Sequence, residues 1–499
     1  MTGFELLCGI VLILLALYYY MVQDHDFWKQ RGIPGPKPVP LFGNFMDMLL
    51  GRMSIGDQMV KFYHQYKNEP VIGLFIREKR LLAVKDLDLI KTILIKDFSK
   101  FAHRGIAINE VAEPLSQHLF SLEPKRWRPL RAKLSPTFTS GKLKEMFTLI
   151  LECSLTFEKY LAKMVSEGKP VDCRELAARF TTDVIGSCAF GIETNAMTQK
   201  ESEFRDAGKE FFSSGLKSTI RLRLREGFPR LYTLLGYIIP YNKMTKFFTK
   251  AVSDMIEYRK KNNVVRHDFI NTLIELQAHP EKLGIELTES LLSAQAFLFF
   301  AAGFETSAST VTHALYELAQ NQDVQDRVRE EIKEHYALNN GKWLYDDIKE
   351  MPILDAVFKE TLRKYPPLTV IMREAVEDYT FEDLKLSIPK GTRIFIPAYA
   401  IHRDPDIYPN PEVYDINRFQ EDEVAKRHPM SYLPFGDGPR NCIGARFAIF
   451  QTKIALIKVI IKYKVDVCEE THVPFENDPR SVFLVPNHPI VLKITELPS

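Results

Sequence analysis

One long helical pattern, running from Leu287 to about Gln320, constrains this chain more than any other feature. At ~1.5 Å per residue it spans roughly 50 Å. Its middle, Ala294 to Gly303, carries apolar residues on every face, and such a helix is stable only where other elements enclose it. The pattern therefore predicts a large helical domain built around this segment. Into the dry middle the sequence sets Gly303-Phe304-Glu305-Thr306. A buried Glu is costly unless something pairs with it.

The chain has 499 residues, 45% hydrophobic and 26% charged, a globular composition. At ~150 residues per domain the length suggests about three domains, yet no linker, repeat or charge block follows the first 40 residues. The remainder reads as one domain. A net charge of +2 gives no global reason to expect nucleic acid as a partner. The six cysteines, at 8, 153, 173, 188, 442 and 468, include no C-x-x-C pair. That excludes a disulfide scaffold and disfavours a Cys-built zinc site.

Leu6 to Val22 is an unbroken apolar run of 17 residues, at the short end of a bilayer span. Tyr18, Tyr19 and Tyr20 supply an interfacial belt. A cleaved signal peptide is the rival reading. However, no basic region precedes the run, and bulky tyrosines stand where a small-residue cleavage site belongs. Lys29, Arg31 and Lys37 follow the run, which places the body on the cytosolic side. Residues 1–22 are expected to be a membrane anchor. Residues 23–40, with four prolines from Pro34 to Pro40, are expected to form a stiff connector.

In residues 41–499, Val71–Ile76 and Arg80–Val84 flank a charged corner and predict a hairpin. Helical periodicity dominates from about Ser121 to Lys364. Strand signals return at Leu384–Ile388, Arg393–Ile396 and Ser481–Ile494, the last broken by Pro486 and Pro489. The fold class is mainly α with small β-sheets set to one side, α+β.

The sharpest chemical signal is Phe435-Gly436-Asp437-Gly438-Pro439-Arg440-Asn441-Cys442-Ile443-Gly444. A lone Cys is by base rate a small buried hydrophobe. Here Gly436, Gly438 and Pro439 make a tight loop, and a helical pattern begins at Gly444 and runs past Ile460. Cys442 is thus expected at a helix N-terminus beside Arg440, where a thiolate is stabilised. Such a thiolate is an anionic metal ligand.

Phe435, Gly438, Arg440, Cys442 and Gly444 match F-x-x-G-x-R-x-C-x-G, and this loop resembles the haem-binding loop of the cytochrome P-450 family. Over essentially its whole length the chain is similar to that family, most of all to insect microsomal members of a detoxification-rich clan. The resemblance implies a haem domain over 41–499, with haem b between the long central helix and the Cys-loop helix. Cys442 becomes the iron ligand, with electron donation from sulfur favouring O–O cleavage. Ala302-Gly303-Phe304-Glu305-Thr306 resembles the oxygen-activating segment, which gives Thr306 and Glu305 the catalytic role of passing protons to bound O2. Trp127 and Arg131 resemble W-x-x-x-R of the helix beneath the haem, and Arg373 and Arg440 occupy the other propionate positions. Phe435 and Gly444 complete the cofactor loop. Glu360-Thr361-Leu362-Arg363 is implied to be a structural Glu–Arg pair completed by Arg418. The family commonly has Pro-Glu before that Arg, and this chain has Ile416-Asn417.

Family-like substrate positions are Phe120, Phe297, Phe300, Ala301, Val370 and Phe483, whose character favours lipophilic xenobiotics or endogenous lipids. Leu231–Pro240 is either a second membrane contact or a buried loop. Lys125, Arg126, Arg128, Lys133, Lys142, Lys144 and Arg446 form either a docking face for an acidic redox partner or a solvated charged surface. The chain has no dinucleotide fingerprint. The resemblance therefore implies NADPH-derived electrons from NADPH-cytochrome P-450 reductase, with cytochrome b5 as a further donor, at the cytosolic face of the endoplasmic reticulum membrane. The expected activity is monooxygenation. The alternatives are an oxygen-independent haem-thiolate isomerase or dehydratase, and a non-enzymatic membrane-tethered haem binder.

Overall fold

The computed structural model describes residues 3–198, 202–212, 221, 224–225, 228–238, 242–264, 266, 268–279, 281 and 284–498. Its principal helices are α1 (Gly3–Val22), α2 (Pro124–Leu134), α3 (Ser140–Ser166), α4 (Cys173–Ile185), α5 (Glu203–Phe212), α6 (Pro229–Ile238), α7 (Glu289–Gln320), α8 (Pro352–Lys364), α9 (Ala398–Ile401) and α10 (Ala445–Ile460). The strands are β1 (Val71–Ile76), β2 (Lys79–Val84), β3 (Val171–Asp172), β4 (Ile371–Glu374), β5 (Tyr379–Phe381), β6 (Leu386–Ile388), β7 (Arg393–Ile396), β8 (Tyr463–Asp466) and β9 (Val491–Glu496). They form three small sheets, ordered β1-β2-β7-β4, β3-β9-β8 and β5-β6. This is the expected α+β architecture.

α7 is the axis of the domain. It begins where Thr288 Oγ1 accepts the Leu291 N–H at 3.1 Å, an N-cap. α4 lies against it so closely that a Cβ on Gly303 would stand 2.4 Å from Ile185 Cδ1. α7 is continuous through Gly303 and Thr306, so this glycine admits a neighbouring helix and does not break its own. On another side, the rings of Phe299 and Phe447 bring α7 and α10 to a centroid distance of 6.0 Å. α1 and α7 are both long and apolar enough to cross a membrane, but the apolar window of α7 is 72% buried in the domain and that of α1 0%. α7 is core.

Other expectations are refined. The hairpin turns at Arg77, held at φ 57°. The strand predicted over Ser481–Ile494 exists only as β9, because Pro486 and Pro489 lack backbone donors and the Leu484 N–H turns instead to Pro367 O at 3.0 Å. The strand expected from Leu384 starts at Leu386, after Lys385 takes a left-handed φ of 51°. Residues 23–40 lie along β1. Phe27 and Trp28 are buried, the Trp28 indole donates to Leu74 O at 2.9 Å, and the Gly73 N–H donates to Pro34 O at 2.8 Å. The proline-rich segment is therefore docked on the sheet.

Candidate active site

The Cys442 loop is closed by its own backbone. Gly436 and Gly438 adopt φ of 67° and 73°, a region only glycine enters freely. A Cβ on Gly438 would stand 1.9 Å from Leu94 O. The Cys442 N–H donates to Phe435 O at 2.9 Å, and the Phe435 ring stacks on Phe358 of α8. Gly444 caps α10. Cys442 is exposed; desolvation by the surrounding protein pushes its thiol up, while the Gly444 N–H, Arg131 and Arg104 oppose it. The helix terminus thus favours the thiolate through the Gly444 N–H, and the cations that do so are Arg131 and Arg104 in place of Arg440. The Arg440 guanidinium is turned away, donating to Ala102 O and Leu122 O and lying 4.8 Å over the Trp127 ring. A coordinated metal deprotonates a thiol outright, so the loop suits a thiolate held by iron.

Four guanidiniums converge beside this loop. Arg373 and Arg440 are almost wholly buried. Burial holds Arg373 down to about 10, and burial with the neighbouring Arg373 holds Arg440 at about 9. Arg104 is held well below its ordinary value by burial and by Arg373 and Arg440. Arg131 donates to Asn441 O and Oδ1 at 3.1 and 3.0 Å. Nε of Arg373 and Nε of Arg440 have no partner. Clustered buried cations with orphaned donors are stabilised by an anion, and haem propionates meet that need. Trp127, Arg131, Arg373 and Arg440 come together beside the loop. Arg104 joins them unannounced, donating to Arg440 O at 2.9 Å and Phe120 O at 3.2 Å and capping the Phe120 ring at 3.8 Å. It lies in an irregular stretch with no motif, so nothing in the sequence marked it.

In the middle of α7 the accessible positions are Leu298, Phe299, Ala302, Gly303 and Thr306. Their spacing of four keeps Leu298, Ala302 and Thr306 on one face. Thr306 Oγ1 donates to Ala302 O at 2.6 Å. Phe297, Phe300 and Ala301 are buried: Phe300 stacks on Phe304 at 5.7 Å and meets Phe204 and Phe248. These three residues lie behind the accessible face, which Thr306 of the expected set shares. Val370 is buried in a cluster with Phe45 and Met59. Phe120 and Phe483 are half-buried.

Glu305 is 3% exposed and finds its partner in Arg174 of α4, Nη2 to Oε1 at 2.5 Å. The pair lines a polar cleft of about 330 Å³ with Asp172, Glu175, Arg205, Lys209 and His488. Thr306 does not line that cleft, so these two neighbours in sequence open onto different spaces.

Glu360 and Arg363 are fully buried and bidentate, Nε to Oε2 at 2.7 Å and Nη2 to Oε1 at 2.8 Å. Arg418 Nε lies 3.5 Å from Glu360 Oε1, and the Asp415 N–H donates to the same oxygen at 3.0 Å. Asp415 also caps the turn through Ile416-Asn417, accepting the Asn417 N–H at 3.0 Å. The unusual dipeptide leaves Arg418 in reach.

Residues 33–494 match the family model described as cytochrome P450. The chain is 41% identical to probable cytochrome P450 6a14 of Drosophila melanogaster, covering 97% of this chain and 98% of that one. It is 40% identical to cytochrome P450 6A1 of Musca domestica, over 97% and 96% of the two chains. Identity to cytochrome P450 6k1 of Blattella germanica is 37%, over 97% and 96%. With a family model spanning nearly all of the sequence, relatives aligned end to end, and a Cys loop flanked by uncompensated cations, the chain belongs to the cytochrome P450 family and is a haem-thiolate monooxygenase that draws on a reductase for electrons and acts on lipophilic substrates.

Proposed function

We propose that Cys442 is the haem ligand of an enzyme anchored in the endoplasmic reticulum membrane, its catalytic domain on the cytosolic face, that oxygenates a broad set of lipophilic xenobiotics. The observation that carries this reading is the closed Cys442 loop beside four arginines whose donors lack an anion. Trp127, Arg131, Arg373, Arg440 and Arg104 would hold the propionates, and Phe435 and Gly444 the loop. Bound haem supplies dioxygen binding and O–O cleavage. Thr306 Oγ1 stands on the accessible face of α7 and can hand its proton outward when it releases Ala302 O. Glu305 is the second group assigned to proton delivery; Arg174 holds it in a cleft that Thr306 does not line, so a path between the two runs through water.

Two surfaces support the partners. Lys125, Arg128 and Lys133 are exposed and make no ion pair among the described residues, and Arg446 is exposed nearby. They suit the acidic face of NADPH-cytochrome P-450 reductase, with cytochrome b5 competing for it. Leu231, Leu234, Tyr237 and Ile238 of α6 are exposed and suit a second lipid contact. Ile239 and Pro240, the end of that predicted contact, lie outside the described residues. The test is reconstitution with reductase in phospholipid vesicles against a panel of lipophilic compounds. Substrate-dependent NADPH oxidation with an oxygenated product supports the proposal. Isomerised or dehydrated product without NADPH points to the oxygen-independent class, and spectral binding without turnover to a haem binder.

A further inference from the structure

His402, at the end of α9, is fully buried. The Leu433 N–H points at its Nε2 at 2.8 Å. A backbone amide can only donate, so Nε2 is the acceptor and the ring proton is on Nδ1. Nδ1–H then donates to Arg363 O at 3.2 Å. In return, Arg363 Nη1 donates to the carbonyl of His402 at 2.9 Å. The same guanidinium is the one locked onto Glu360.

The far end of this chain of bonds is the cofactor loop. Leu433 O accepts the Gly436 N–H at 3.0 Å, and Phe435 O accepts the Cys442 N–H at 2.9 Å. The neighbouring Tyr432 stacks on the His402 ring at 5.5 Å and donates to Lys359 O at 3.0 Å. Tyr408 donates to Ser431 O at 3.2 Å. Residues 431–433 are thus fastened at three successive positions immediately before the loop. Among the described residues the His402 bond is the hydrogen bond that joins them to the Glu360–Arg363 pair, beside the Tyr408 ring, which lies 5.4 Å from the Arg363 guanidinium.

We infer that His402 is a positioning residue for the Cys442 thiolate: it ties the buried Glu360–Arg363 pair to the start of the cofactor loop and so sets where Phe435 O holds the Cys442 amide. This rests on the reading of Cys442 as the haem ligand. An imidazole suits the task because it accepts at one end and donates at the other across a rigid ring, with no charge to desolvate.

Three variants of the full-length holoenzyme separate positioning from plain stability. In His402→Asn the amide nitrogen takes the place of Nδ1 and keeps Arg363 O, but nothing reaches Leu433. In His402→Gln the longer side chain brings its carbonyl oxygen to the place of Nε2. His402→Phe keeps the stack on Tyr432 and loses both bonds. Asn and Phe are expected to speed hydrogen exchange of the Leu433 amide roughly tenfold and to convert part of the reduced CO spectrum from thiolate type to thiol type. Gln is expected to stay near the parent in both. If Phe fails to fold, the contrast between Asn and Gln decides alone. Faster Leu433 exchange with an unchanged spectrum in His402→Asn would make the bond structural only and overturn the inference. Equal spectral loss in Asn and Gln would overturn it as well. A parent without a thiolate-type spectrum overturns the Cys442 reading, whereas unchanged Leu433 exchange in His402→Asn overturns the His402 tie alone.

Discussion

Arg174 holds the Glu305 carboxylate at 2.5 Å, on a side of the central helix that Thr306 does not share. The carboxylate is buried, while the Arg174 side chain is 37% exposed, so the pair is half in water. Arg174→Met should cost roughly 2 kcal/mol, less than the ~3–5 kcal/mol of a fully enclosed pair. Adding Glu305→Gln to that variant should recover most of the loss. A double-mutant cycle by chemical denaturation measures this, and additive losses would show that the two do not interact.

The Glu360–Arg363 pair is fully enclosed, and its second oxygen also serves Asp415 and Arg418. Arg363→Leu leaves a buried carboxylate with weaker partners and should cost about 3–5 kcal/mol. Arg363→Lys cannot supply the fork and should recover little of it. Denaturation midpoints of the holoprotein check both, and a tolerated Arg363→Leu would contradict the role.

Two buried histidines, His313 and His402, and the half-buried His118 predict acid sensitivity. Burial, the largest cause for each, pushes His118 down to about 4 and His313 and His402 to about 3, from an ordinary 6.5. In the unfolded chain each binds a proton as pH falls below its ordinary value, while the folded protein refuses it. Folding stability should therefore fall with pH through this window, by about 1.4 kcal/mol per pH unit for each such histidine. His313 stacks on Tyr365 and Phe475 with Nε2 unpartnered, so His313→Phe should fit. It should reduce the slope of unfolding free energy against pH by about one proton between about pH 6 and pH 4. An unchanged slope would contradict the linkage.

Much of the site was legible because its chemistry is local. The glycines at 436 and 438 and the cysteine that follows announce a close backbone approach. The three-residue spacing of Glu360 and Arg363 and the four-residue spacing of Trp127 and Arg131 each fix a shared helix face. What escaped is set by packing. Arg174 lies 131 residues from Glu305, and only the contact of α4 with α7 brings them together. The substrate positions on α7 rest on the resemblance, and packing, in which Phe204 and Phe248 meet Phe300, buries Phe297, Phe300 and Ala301 while leaving Ala302 and Thr306 accessible. Residues 23–40 looked like a spacer because their prolines are visible in sequence, whereas the seating of Trp28 against Gly73 is not.

Thr306 is predicted to serve proton transfer without holding the cofactor. Thr306→Ala should keep haem content and CO binding near the parent's, because among the described residues its hydroxyl bonds only to Ala302 O. NADPH consumption should continue with more hydrogen peroxide and less oxygenated product. The ratio of product to NADPH at matched haem concentration reads the effect. A ratio equal to the parent's would remove Thr306 from that role for the substrate tested.

The most direct measurement is the reduced CO spectrum of single cysteine variants. Cys442 alone stands in a loop closed onto Phe435 O and faced by Arg131 and Arg104. Cys173 and Cys188 are buried, Cys153 and Cys468 half-buried, and burial holds the Cys153, Cys173 and Cys188 thiols well up. Cys442→Ser should abolish the thiolate-type spectrum, and serine at 153, 173, 188 or 468 should leave it intact. Loss of that spectrum at one of those four positions, with Cys442→Ser retaining it, would contradict the account.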